Sequence, residues 1–158
     1  SDGDASPGTT VGGATAPAGT VEVTATDYAF SQLPDEVAAG SRLHLTNDSN
    51  VEIHELVAIR LADGDERPVE EVLHDPALEA TAPATVLVTP PGADQIAAVG
   101  DGTLTQPGRY VLICTIPTGV SPQVFLDAAA AAGGGKPVIP DAVEPHLAHG
   151  MYAELVVS

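Results

Sequence analysis

The sequence predicts an all-β sandwich with short helices, and three observations carry that expectation. Apolar and polar residues alternate in several short runs. Clusters of Gly, Pro, Asn and Asp interrupt those runs every ten residues or so, roughly the spacing of strands joined by tight turns. The third is a placement: the only cysteine, Cys114, ends one alternating run, and the only methionine, Met151, opens another.

In chain order, residues 1–19 lack a hydrophobic period and are rich in Gly, Ala, Thr and Pro, which predicts a flexible linker. Residues 20–158 are read as one domain, and 158 residues suffice for a single core plus a tail. From Thr20, Val21, Val23 and Ala25 face one way while Glu22, Thr24 and Thr26 face the other, a half-buried strand. Residues 27–30 continue it until Leu33-Pro34 breaks it. Ala39-Gly40 turns into a strand over residues 41–47, with Leu43 and Leu45 inward and His44 outward. Asn47-Asp48-Ser49-Asn50 is a dense turn signal that delivers the chain to His54, at the mouth of an apolar strand reaching Leu61.

Residues 68–74 read as a short helix with Pro68 in its first turn, stopped by Asp75-Pro76. His74 in its last turn suits the helix dipole and needs no metal role. Residues 82–90 and 95–99 are strands, and residues 103–108 turn into the strand that ends at Cys114. Beyond Cys114 comes an insert. Ser121 as cap, Pro122 at the first position, strong helix formers and Gly133 at the end predict a helix, followed by an extended segment over 136–140. The insert should pack beside the ligand end as a lid or wall. Residues 152–157 are the last strand.

The formal net charge of -17, with five Lys plus Arg, argues against nucleic acid and anionic membranes as partners and leaves a basic protein partner open. A lone cysteine excludes an intrachain disulfide, and in an oxidising compartment a free thiol needs an occupant. No leader or membrane span is present in the sequence. No Ser–His–Asp arrangement and no phosphate-cradling glycine loop after a strand is recognisable, so the reading is not an enzyme.

The donor residues point to a metal. Cys114, then Pro145-His146-Leu147-Ala148-His149-Gly150-Met151, with His54 upstream, offer one thiolate, imidazoles and one thioether. Such a set suits copper cycling between Cu(I) and Cu(II), since the thiolate binds strongly and the thioether weakly. His146 and His149 compete for one position, and the wider gap from His146 to Met151 bends more easily around one ion. Cysteine and two histidines would also suit zinc.

Asn47 and His54, Gly108-Arg109-Tyr110-Val111-Leu112-Ile113-Cys114, and His146 four residues short of Met151 together resemble the cupredoxins, the blue copper proteins, nearest the plastocyanin branch. The resemblance covers about residue 20 to the end. It implies a cupredoxin-like Greek-key sandwich and a mononuclear type 1 copper site of His54, Cys114, His146 and Met151. An asparagine near the first histidine, here Asn47 or Asn50, would tie the ligand loops together. It also implies an exported, extracytoplasmic monomer, with a possible N-terminal lipid anchor, that passes electrons between redox proteins through an exposed histidine edge. Ile116, Pro145 and Leu147 would collar that edge. A copper-delivery protein without redox shuttling and a metal-free interaction module are the alternatives. One departure stands out: two residues separate the cysteine from the next histidine in the plastocyanin branch, whereas residues 115–145 intervene here.

Overall fold

Two mixed sheets pack face to face. The computed structural model describes residues 17–133 and 135–158. Most of the linker expected over 1–19 therefore lies outside the described residues. One sheet holds β1 (Thr20–Thr26), β2 (Ala29–Ser31), β4 (Ser41–Asn47) and β8 (Thr103–Leu104), in the order β2-β1-β4-β8. The other holds β3 (Glu36–Val37), β5 (His54–Arg60), β6 (Thr85–Thr89), β7 (Ile96–Val99), β9 (Gly108–Ile113) and β10 (Tyr152–Val157), in the order β3-β10-β9-β5-β6-β7. Three helices, α1 (Val69–Val72), α2 (Pro76–Ala80) and α3 (Pro122–Ala132), lie in the connections. The all-β sandwich with a helical insert is thus the observed fold.

Alternation explains the two faces. Val23, Ala25, Leu43 and Leu45 of the smaller sheet meet Leu56, Ala58, Leu87, Leu112 and Leu155 of the larger one in the main core. The central strands β5 and β9 are buried on both sides, which is why they read as apolar runs. Their outer face, Ile59, Val111 and Ile113, is covered by Val69, Val72 and Leu78 from α1 and α2. Gly102 stitches the sheets together: its N–H donates to Thr85 Oγ1 at 2.9 Å and its carbonyl accepts from Leu43 at 2.8 Å. It has φ +94°, and a Cβ there would sit 2.3 Å from the Leu43 carbonyl oxygen, so only glycine fits.

Three local readings change. Residues 27–30 do not extend β1. The chain reverses at Asp27-Tyr28, with Tyr28 at φ +70°, and β2 folds back so that Thr26 pairs with Ala29. A two-residue hairpin needs such a positive φ, and Tyr gives no sequence signal for it. Asp75-Pro76 ends one helical turn but also starts the next, because the Asp75 carboxylate accepts from Ala77 N–H at 2.9 Å and Pro76 takes the first helical position. Ser121 precedes α3 without a side-chain cap. The two-residue strands β3 and β8 are too short to carry a period.

Register sets where the loops meet. Val57 pairs with Ile113 and Tyr152 pairs with Ile113 from the other side. The start of β5, the end of β9 and the start of β10 therefore share one end of the larger sheet. Ala25 pairs with Asn47 in the parallel β1–β4 ladder, so the β1–β2 hairpin and the loop before β5 lie together as well.

Candidate metal centre

His54, Cys114 and His146 converge at that end of the sandwich. One donor atom from each lies within 4.8 Å of the other two, and all three side chains are fully buried. Cys114 Sγ is 3.4 Å from His146 Nδ1, and His54 Nδ1 is 3.2 Å from His146 Nδ1. His54 opens β5, Cys114 follows β9, and His146 begins a 3-10 turn over His146–His149.

Backbone hydrogen bonds fix this geometry despite the long insert. His146 N–H donates to the Ile116 carbonyl and Leu147 N–H to the Cys114 carbonyl, each at 2.9 Å. Met151 is fully buried; its N–H donates to the His146 carbonyl and its carbonyl accepts from Cys114 N–H, both at 3.2 Å. The ends of the insert are pinched where Pro117 pairs with Pro145 and Thr118 N–H donates to the Glu144 carbonyl. Phe125 of α3 is buried in the main core, with Val120, Leu126, Ala129 and Ile139 packed against it. The insert is a wall of the ligand end.

His149 faces solvent at the end of the same turn and is outside the donor cluster. His44 pairs with Glu22 at 2.7 Å on the smaller sheet, and His74 is exposed. The expected exposed histidine edge is not found: both clustered rings are buried, and Tyr28 lies edge-on to His146 at 5.2 Å between ring centroids. Of the collar, Ile116 is fully buried, while Pro145 and Leu147 are half-buried. Asn47 donates to the Glu52 and Thr89 carbonyls at 2.8 Å each, so it ties the loop before β5 to β6, not to the cysteine loop.

Carboxylates link the ligand loops instead. Glu52, nearly buried, accepts from Gly119 N–H at 3.1 Å and meets His146 Nε2 at 3.3 Å. Asp27 meets His54 Nε2 at 3.2 Å. Glu55 accepts from Thr115 N–H at 3.0 Å, and its own N–H points at Cys114 Sγ at 3.5 Å. None of the three carries a periodic signal. The clue available was Glu52 two residues before a histidine at a strand mouth.

Burial sets the protonation of the donors. It lowers the pKa of His54 against the pull of Asp27. It does the same for His146, helped by the neighbouring His54 and opposed by Glu52. Both rings are therefore held neutral, as metal ligands must be. Burial, then the charge of Glu55, pushes the Cys114 thiol far up. With Nε2–H of each ring turned to a carboxylate, two Nδ1 lone pairs and a sulfur face a common point. A soft cation fits that donor set.

No family model matches the chain, and no curated protein matches it by sequence. Three solved structures are similar to it. Dithionite-reduced auracyanin from the photosynthetic bacterium Roseiflexus castenholzii is 19% identical with a TM-score of 0.46, over 88% of this chain and 96% of that one. Auracyanin A, a "blue" copper protein from the green thermophilic photosynthetic bacterium Chloroflexus aurantiacus, is 16% identical with a TM-score of 0.45, over 88% and 98%. Auracyanin B is 22% identical with a TM-score of 0.37, over 90% and 91%. The centre itself is read from its own donor atoms.

Proposed function

We propose that the chain is a mononuclear copper protein that carries single electrons between redox proteins. The observation that carries this reading is the buried convergence of Cys114 Sγ with the Nδ1 atoms of His54 and His146. Copper bound there supplies a one-electron couple. Cys114, whose thiol burial holds protonated, releases its proton as the ion enters, so uptake is favoured by rising pH. His54 and His146 complete a trigonal set, and Met151 adds a weak axial thioether. The backbone links among Cys114, His146 and Met151 hold the donors in one arrangement, so little rearrangement accompanies electron transfer.

A location outside the cytoplasm fits a lone thiol that a metal would occupy. The net charge of -17 fits a basic redox partner. No helix among the described residues is long and apolar enough to cross a membrane. The test is to add one equivalent of Cu(II) and record the absorption spectrum. An intense visible thiolate-to-copper band supports the reading. Colourless, zinc-preferring protein rejects it, since the same donors also suit zinc.

A further inference from the structure

The two imidazoles are held from behind by carboxylates on separate loops. Asp27 sits at the tip of the β1–β2 hairpin and lies 3.2 Å from His54 Nε2. Glu52 precedes β5 and lies 3.3 Å from His146 Nε2, while Gly119 of the insert donates to the same carboxylate. The third carboxyl in this region, Glu55, bonds Thr115 and neither ring. Each imidazole has one nitrogen towards the thiol and the other towards a carboxylate, the arrangement that fixes tautomer and raises ligand basicity.

We propose that Asp27 and Glu52 are positioning residues that lock both rings as Nε2–H tautomers and bias the centre towards divalent copper. The proposal rests on the copper reading above. With a thiolate, Cu(I) leaves the first shell neutral and Cu(II) leaves it positive, so nearby negative charge favours Cu(II) and lowers the reduction potential. The two residues contribute unequally. The Glu52 side chain is 12% exposed and that of Asp27 is 50% exposed, so water screens Asp27 more.

The test uses Asp27→Asn and Glu52→Gln, which keep shape and an acceptor oxygen but remove charge. Loss of such an outer partner weakens metal binding by about 10–100-fold. The expected result is a loss of that order for Cu(II), a smaller loss for Cu(I), and a raised potential, larger for Glu52→Gln. Each tenfold change in their ratio corresponds to about 59 mV. Glu22→Gln, on the exposed face of β1, serves as the control and should shift nothing. An unchanged Cu(II)-to-Cu(I) ratio in Glu52→Gln overturns the proposal.

A metal-free readout separates this from the copper reading. Nitrogen-15 NMR of the apo protein should show Nε2–H on both His54 and His146, with mixed tautomers in Asp27→Ala and Glu52→Ala. A proton on Nδ1 of either wild-type ring overturns the proposal even if copper binds. Absence of copper binding with both Nε2–H tautomers intact rejects only the copper reading.

Discussion

Cys114 and His146 are 32 positions apart in sequence, yet the cysteine sulfur lies 3.4 Å from the histidine Nδ1. The chain between them leaves and returns through a pinch at Pro117 and Pro145, so the insert enlarges the wall without separating the donors. Rigidity here comes from backbone hydrogen bonds, not from a short loop.

That pinch predicts which histidine matters. His146→Ala should abolish copper binding and colour, because its ring is the buried one in the donor cluster. His149→Ala should retain both, since His149 is exposed and touches Tyr28 from outside. Copper stoichiometry of the two variants checks this, and the reverse pattern would reassign the ligand.

Met151→Leu should keep copper but raise the reduction potential, because a weak axial donor is lost from a site whose potential that ligand tunes. The swap nearly conserves volume at a fully buried position, so stability should fall by less than about 1.5 kcal/mol. Voltammetry and thermal unfolding of the same preparation separate the two effects. An unchanged potential would remove Met151 from the site.

Gly102→Ala should destabilise the metal-free protein by about 1–3 kcal/mol from the positive φ alone. The close approach to the Leu43 carbonyl adds to that, because backbone must move. Urea unfolding measures it; an unchanged midpoint would show that the sheets are not joined there as described.

The acid limb of stability should depend on Arg67. Its guanidinium donates to both oxygens of Asp65 and reaches Asp75 at 3.0 Å, and these bonds pull the Asp65 pKa down to about 2. A depressed carboxyl pKa stabilises the fold above the unfolded value of about 3.9, and that contribution disappears as pH falls towards 2. Arg67→Gln should therefore unfold at a higher pH in acid titrations followed by circular dichroism, with little change near neutrality between the two proteins' relative pH profiles. Superimposable acid limbs would contradict this.

Much of the fold was legible because β4, β5, β9 and β10 bury side chains in patterns that the sequence writes directly. The donor residues were legible because Cys114 and Met151 are unique and flank strand ends. What was not legible depends on tertiary placement. Tyr28 at positive φ reverses the chain where Asp27 would otherwise continue a strand. Glu52 and Glu55 look like ordinary surface acids until the insert covers them. The burial of His146 likewise follows from Tyr28 and the 3-10 turn, neither of which has a sequence period.

X-ray absorption at the copper edge of protein loaded with one equivalent of Cu(II) tests the central claim most directly. One sulfur and two nitrogen donors in the first shell, with the sulfur lost in Cys114→Ser, is the predicted result. A shell of oxygen and nitrogen donors alone, unchanged by Cys114→Ser, would contradict it.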